Sequence, residues 1–397
     1  MNALYHRIIY NEIRRFGLKF LHTSDLHIGK KIFETSLLEG QRSMLQQIFQ
    51  AAVEEGVDAL VIAGDIYDRS VPATEAVTLL DEFLTDLSEK KIPVIMISGN
   101  HDSPERVGFA GKILEKQGIY IAGTFDGSLR KVEFEDDYGK VVFLCLPFVK
   151  PAVAGGTNCA EAVRNILKEE DIAFGNEERY VLVTHYFVTG ESGEVPELSQ
   201  SETGIDVGGI DNVPADVFSG FDYVALGHIH KAQRVGSGQV YYSGAPMKYS
   251  FSEAGCNKTV NIVELGSKGE INVCTKVIDS IHDMRCIKGE LAELIREDVV
   301  NAPEADPMDY IQATLTNREE LINPIGTLRS VYPNVLQILL EKNYKVAEEI
   351  YESKLTGKRK STGELFASFY EMLTGSMPDE LQAEVVKQVA EEAEGMN

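Results

Sequence analysis

DALVIAGDIYDRSVPATEAVTLLDEFLTDLSEKKIPVIMISGNHDSPER, residues 58–106, is the stretch that decides the architecture. Its opening run DALVIA (58–63) is apolar and of strand length, and PVIMIS (93–98) is a second such run. Residues 73–88 between them read as a helix. Strand, helix, strand in succession predicts a layered α/β sheet, with any ligand site off the carboxyl ends of the strands. Both strands end there in glycine and polar residues, Gly64-Asp65 and Gly99-Asn100-His101-Asp102.

The same alternation extends outward. Leu18–Thr23 is a strand followed by Asp25-Leu-His27, and 36–55 has helical periodicity through Leu37, Leu38, Met44, Leu45, Ile48, Phe49 and Ala52. Ser103-Pro104 opens a further helix. Residues 130–147 read as a strand pair and 159–169 as a helix. Tyr180–Thr184, Tyr223–Leu226, Val240–Ser243, Lys258–Glu264 and Ile271–Val277 are further strands, expected in a second sheet packed on the first. The stretch 186–220, rich in Gly, Ser, Glu and Pro, is a long connection expected to lie over the site.

At 397 residues the chain exceeds a single core, and four segments are expected. Residues 1–17 precede the first strand as an extension, and 18–280 form the main domain. Residues 281–345 suggest a small α/β unit: strand 283–288, helix 289–296, strand 308–315, helix 317–331 and strand 335–340. Residues 346–397 hold a basic linker (Lys354, Lys358, Arg359, Lys360) and helices over 361–374 and 378–394, the first with an apolar stripe that needs a partner to cover it. Five scattered cysteines with no CxxC pair suggest a reducing cytoplasm and no structural zinc, and no apolar run has membrane-spanning length. The net charge of −24 weighs against a nucleic-acid substrate unless divalent ions or a partner supply the positive charge.

Chemistry is concentrated in a few positions. Asp25 and His27, two apart in an extended segment, face one way, as do His228 and His230 after FDYVALG. Asp65 ends an apolar strand, where a carboxylate is costly unless paired or coordinated, and its two oxygens suit it to bridge two cations. Asn100 offers a metal a carbonyl oxygen without charge. His101 should point elsewhere, able to donate to a phosphate or leaving oxygen, with Asp102 positioned to orient it. His185 follows YVLVT. Singly, each residue also fits a turn cap or a core histidine. The whole set in this order points to two metal ions, and mixed N and O donors suit manganese, iron or zinc better than calcium. His22, inside the first strand, reads as structural.

These motifs (FLHTSDLHIGK 20–30, VIAGDIYDRSVP 61–72, SGNHDS 98–103, FDYVALGHIHKAQ 221–233, YYSGAPMKYSFSEAG 241–255) resemble the calcineurin-like metallophosphoesterase superfamily, and within it the bacterial nuclease subunits that act with a coiled-coil ATPase. The resemblance implies a four-layer α/β/β/α sandwich with a small α/β capping domain that binds DNA and C-terminal helices that grip the ATPase. It implies two Mn2+ ions, one on Asp25, His27, Asp65 and His230 and the other on Asp65, Asn100, His185 and His228. His101 would be the catalytic histidine and Asp68 its orienting neighbour. Double-strand exonuclease and single-strand or hairpin endonuclease action in DNA repair, recombination and replication would follow, in a cytoplasmic, nucleoid-associated enzyme with no membrane contact. A homodimer within a heterotetramer is implied, joined through the 36–55 and 73–116 regions. No GxxxxGK[ST] motif occurs, so ATP chemistry belongs to the partner. Lys30, Lys31, Arg69, Arg106, Lys231 and Lys248 lie near the motifs and are the expected DNA contacts.

Two rival readings remain at this level. A protein phosphatase or small-molecule phosphodiesterase on the same scaffold is disfavoured by Ser70, where that family has Gly, and by GNHD in place of GNHE. A non-catalytic assembly subunit is disfavoured by the intact donor set with His101.

Overall fold

The computed structural model describes residues 17–341, apart from 171, 176, 203–210, 304, 305, 318 and 320, and scattered positions beyond 365. Residues 1–16 of the expected extension, the basic linker and most of the helices expected over 361–374 and 378–394 lie outside the described residues. The chain divides into two compact units that part between Asp283 and Met284. No helix among the described residues is long and apolar enough to cross a membrane.

In chain order, the strands of the first unit that frame the site are β1 (Leu18–Thr23), β2 (Ala59–Ala63), β3 (Val94–Ile97), β4 (Ile119–Ala122), β5 (Arg130–Asp136), β6 (Gly139–Leu146), β7 (Arg179–His185), β8 (Tyr223–Gly227), β9 (Gln233–Val235), β10 (Val240–Tyr242), β11 (Lys258–Leu265) and β12 (Ile271–Ile278). The main helices are α1 (Leu38–Glu55), α2 (Thr74–Glu89) and α3 (Cys159–Glu169). One sheet runs β12-β11-β1-β2-β3-β4 and the other β9-β10-β8-β7-β6-β5. Strands β1 to β4 are parallel, as are β6, β7, β8 and β10.

Side-chain alternation explains the layering. In β6, Val141, Phe143 and Cys145 join Phe20, Val61, Ile95 and Val263 in the core between the sheets. Val142, Leu144 and Leu146 turn the other way, onto Cys159, Val163 and Ile166 of α3. On the first sheet, the outward residues Leu21, Leu60, Ile62 and Met96 are also buried. That burial requires cover, which the crossover helices α1 and α2 supply. The result is the expected α/β/β/α sandwich.

Two strands sit elsewhere than sequence order suggests. The segments expected in the second sheet, Lys258–Glu264 and Ile271–Val277, complete the first one as β11 and β12. β11 runs antiparallel to β1, with Leu18 opposite Leu265 and His22 opposite Asn261. A hairpin can pair with any edge that buries its apolar faces, and the free edge of β1 buries Val260, Ile262, Val263 and Leu265.

A buried cation ties the sheets together at their far end. Arg179, 1% exposed, donates to both oxygens of Asp136 at 2.9 and 2.5 Å, and to the carbonyls of Gly139 and Gly266 at 2.8 Å each. Arg179→Ala leaves the Asp136 carboxylate without this partner and is expected to cost about 3–5 kcal/mol. Urea unfolding measures the loss, and an unchanged midpoint would remove the pin from the account.

The second unit has three parallel strands, Met284–Gly289, Tyr310–Leu315 and Val335–Leu340, paired in that order. They pack on Leu294, Val300, Leu328 and Tyr332. In place of one helix over 289–296 the chain makes two single turns, Leu291–Leu294 and Glu297–Val300, because Arg296 is extended at φ −66° and ψ 140°. The helix expected over 317–331 is shorter in the structure: among the described residues only Pro324–Arg329 are helical, and 321–323 and 330–331 are bends, turns or irregular. It starts where Asn323 accepts a hydrogen bond from the Gly326 N–H and Pro324 takes the first helical position.

Candidate metal centre

Every predicted ligand lies at a strand's carboxyl end. Asp25 and His27 follow β1, Asp65 follows β2, Asn100 and His101 follow β3, His185 closes β7, and His228 and His230 follow β8. Four of them have left-handed backbones: Asp25 (φ 54°), His27 (φ 42°), Asp65 (φ 50°) and His228 (φ 102°). Such conformations cost about 1–3 kcal/mol each and persist only where the surroundings impose them.

The imposing contacts are visible. Backbone N–H groups of Asp25, His27 and Ile28 donate to the carbonyls of Gly64, Asp65 and Ile66 at 3.0, 3.0 and 2.9 Å, zipping the two loops together. Gln41 of α1, fully buried, donates to the His27 carbonyl at 2.7 Å and accepts from the Gly29 N–H at 2.9 Å. Asp102 accepts the N–H groups of Ile66, Tyr67 and Gly99 at 3.1, 2.9 and 2.9 Å. It therefore organises the loops, and the expectation that it orients His101 is corrected: both its oxygens are taken up by backbone N–H groups. A side chain on Gly99 would overlap Asp65 Oδ1, so only glycine allows this approach.

The donors form two groups that meet at Asp65. In one, His27 Nε2 lies 3.2 Å from His230 Nε2, and an oxygen of Asp25 falls within 4.8 Å of both rings' donors. In the other, Asn100 Oδ1 lies 3.0 Å from His185 Nε2 and 3.0 Å from His228 Nδ1. Asp65 Oδ2 is 3.7 Å from His27 Nε2 and 3.4 Å from His185 Nε2, between the groups. Asp25 also comes within 4.8 Å of the Asp65 and His185 donors. Ser24 Oγ donates to Asp25 at 2.5 Å and the His228 N–H at 3.0 Å.

Burial sets the protonation. It lowers His27 and His228 to about 3 and takes His230 well below its usual value, keeping their lone pairs available. Burial raises Asp25 to about 7. At His185 burial disfavours charge, but Asp65 overrides it and pushes the imidazole up to about 9. Burial likewise disfavours the Asp65 carboxylate, yet His185 holds it well below the usual range. Neutral imidazoles at His27, His228 and His230, the His185 ring, a carboxamide oxygen and two carboxylates, most of them buried, are donor chemistry that suits divalent cations.

His101 stands at the mouth. Its backbone N–H donates to Asp65 Oδ1 at 2.9 Å, and its Nδ1 lies 3.1 Å from the Asp68 carbonyl. The Asp68 contact is thus through the main chain, while its carboxylate pairs with Lys30 at 2.7 Å. A cavity of about 360 Å³ opens here, lined by His27, Lys30, Asp65, Asn100, His101 and His228 and, from the long connection, by Tyr186, Phe187, Ser201, Glu202 and Asp211.

The expected DNA contacts divide. Lys31, Arg69 and Arg106 are exposed, and Lys231 is exposed but paired with Glu197. Lys248 must be corrected: it is buried, donating to the Ala254 carbonyl at 2.9 Å and pairing with Asp283 at 2.6 Å, so it is a structural cation. Gln41, Ser201 and Glu202 touch candidate ligands without any local motif that marks them, while Ser24 does so from within FLHTSDLHIGK.

Residues 18–232 match the calcineurin-like phosphoesterase family, and residues 280–374 match a family described as the type 5 capsule protein repressor C-terminal domain, SbcD_C. The D subunit of the nuclease SbcCD from Staphylococcus epidermidis is 29% identical over 378 residues, covering 93% of this chain and 97% of that protein. Two solved structures, TT1561 of Thermus thermophilus and a dimetal phosphatase from Danio rerio, each align with 66% of this chain, and with 100% and 99% of their own, at 13% identity and a TM-score of 0.38. At that score neither carries an argument.

Proposed function

We propose that this chain, which belongs to the calcineurin-like phosphoesterase family, is a manganese-dependent nuclease that hydrolyses DNA phosphodiesters at the Asp65 centre. Asp25, His27, Asp65 and His230 would hold one ion, and Asp65, Asn100, His185 and His228 the other. The observation that carries this reading is Asp65 Oδ2, within 3.7 Å of imidazoles from two separate donor groups. Two divalent ions bound there would supply an activated water and a cationic field for the phosphoryl oxygens. The other steps belong to the chain. The Asp68 carbonyl can only accept, so His101 carries hydrogen on Nδ1 and is left with Nε2 for the substrate. Protonated there, it would donate to a phosphoryl or leaving oxygen. Asp68 orients that ring through its carbonyl, and Lys30 brings a positive charge to the cavity wall.

DNA is favoured over a phosphopeptide by the likeness to an SbcCD nuclease subunit along nearly the whole chain. That likeness also supports an SbcC-type coiled-coil ATPase as partner and residues 281–345 as a DNA-binding domain. Phe109 and Ile113, 79% and 70% exposed, suit the proposed homodimer contact. Five cysteines with no disulfide among them suit a reducing cytoplasm. Incubating the chain with manganese and either hairpin DNA or a phosphopeptide, with and without the ATPase, tests the reading. Release of phosphate from the peptide with intact DNA would overturn it in favour of a phosphatase.

Metal loading should release a proton. His185 Nδ1 donates to the Ala63 carbonyl at 2.8 Å, so its Nε2 is the metal-facing atom. With its pKa raised to about 9, the metal-free ring is protonated at pH 7, and an ion must displace that proton. Affinity therefore rises with pH up to about 9. Titrating manganese calorimetrically in two buffers of different ionisation enthalpy reads the proton, and equal heats in both would contradict His185 as a ligand.

A further inference from the structure

Behind His230, on the side away from the other candidate ligands, stands a chain of polar groups, buried except for the half-buried Ser201. Ser201 Oγ lies 2.8 Å from His230 Nδ1 and 3.0 Å from Glu253 Oε1. Glu253 is 3% exposed and ion-paired with Lys258, 6% exposed, whose Nζ also donates to the His230 carbonyl at 2.9 Å. An ion-paired carboxylate only accepts, so the single hydroxyl proton of Ser201 goes to Glu253. Ser201 must then accept at its lone pairs. Ser199 Oγ, 2.5 Å away, can donate to one of them, and His230 Nδ1–H donates to the other. With its hydrogen on Nδ1, His230 presents a bare Nε2 towards His27 Nε2, 3.2 Å away. Glu202 meanwhile accepts the backbone N–H of His230, so neighbouring residues of one connection hold both ring and main chain.

We propose that Ser201 is a positioning residue that relays Glu253 to His230 and fixes the ring tautomer whose Nε2 can bind a cation; this rests on the two-metal reading above. Ligating histidines commonly give their second nitrogen to a carboxylate, carbonyl or water. Here the carboxylate acts through a hydroxyl, and that hydroxyl belongs to the long connection between β7 and β8. The connection is thereby part of the metal centre and not only a cover over it.

Manganese(II) chloride titrated into the full-length, chelator-treated chain tests this with wild type, Ser201→Ala, Ser201→Cys and Ser201→Thr. Wild type should take two ions. Ser201→Ala should weaken one of them by roughly 10–100-fold and Ser201→Thr should restore it, with metal-free melting temperatures alike. The 15N shifts of the His230 ring in the metal-free protein give a second readout. Wild type and Ser201→Thr should show a protonated Nδ1 and bare Nε2, and Ser201→Ala a mixture of tautomers. Should Ser201→Ala fail to fold, Ser201→Cys, nearly the same size with a weak acceptor, carries both measurements. Two ions bound at wild-type affinity with unchanged ring shifts would overturn the relay and leave the metal centre standing. Fewer than two ions on wild type would sink the two-metal reading itself.

Discussion

Asp65→Asn is expected to lose both manganese ions together, whereas loss of an outer ligand such as His230 weakens one more than the other. The reason is geometric. Asp65 Oδ2 stands 3.7 Å from His27 Nε2 and 3.4 Å from His185 Nε2, so the same oxygen faces both donor groups. Its partner oxygen accepts the His101 N–H at 2.9 Å, which fixes the carboxylate plane. An amide keeps the shape but removes the charge that would balance two dications. Affinity should fall by more than the roughly 10–100-fold that follows loss of an outer-shell partner. Ion stoichiometry by calorimetry, or the spin-coupled signal of a manganese pair, measures it. An Asp65→Asn chain that still binds one ion at wild-type affinity would show that the carboxylate is not shared.

The candidate ligands could be picked out in the sequence because each sits beside a local signal. Asp25, Asp65 and Asn100 come two or three residues after the ends of the strands Leu18–Thr23, Ala59–Ala63 and Val94–Ile97, and parallel strands deliver their carboxyl ends to one edge. The residues that hold these ligands were not legible in the same way. Gln41 reaches His27 across 14 positions, Asp102 reaches Ile66 across 36, and Ser201 reaches His230 across 29. Such pairings are products of the tertiary fold, and a glutamine on a helix or a serine in a polar connection looks the same with or without them. Lys248 shows the converse error. Its place beside a motif suggests a phosphate contact, but Asp283, 35 positions on, supplies a partner that lets it be buried. Likewise β11 and β12 read correctly as strands, while their membership of the first sheet depended on which edge could bury them.

His101→Ala is expected to separate chemistry from assembly: two ions still bind, DNA still binds, and cleavage falls by about 10²–10⁴-fold. What Asp65 takes from residue 101 is a backbone N–H, and alanine supplies that equally well. The ring meets the His27 ring edge-on, 4.9 Å apart by centroids, with one of its nitrogens within 4.8 Å of donor atoms on His27 and Asp68, but none of the hydrogen bonds among the other candidate ligands uses it. Its fixed contact is with the Asp68 carbonyl, a hydrogen bond that aims the ring and leaves Nε2 uncommitted. A side chain held this way, exposed at the cavity mouth, is free to meet a substrate. Parallel measurements of manganese stoichiometry, DNA affinity and single-turnover cleavage decide the matter. Cleavage at the wild-type rate would take His101 out of the mechanism, and loss of an ion would mean that it is a ligand and that the donor assignment must be redrawn.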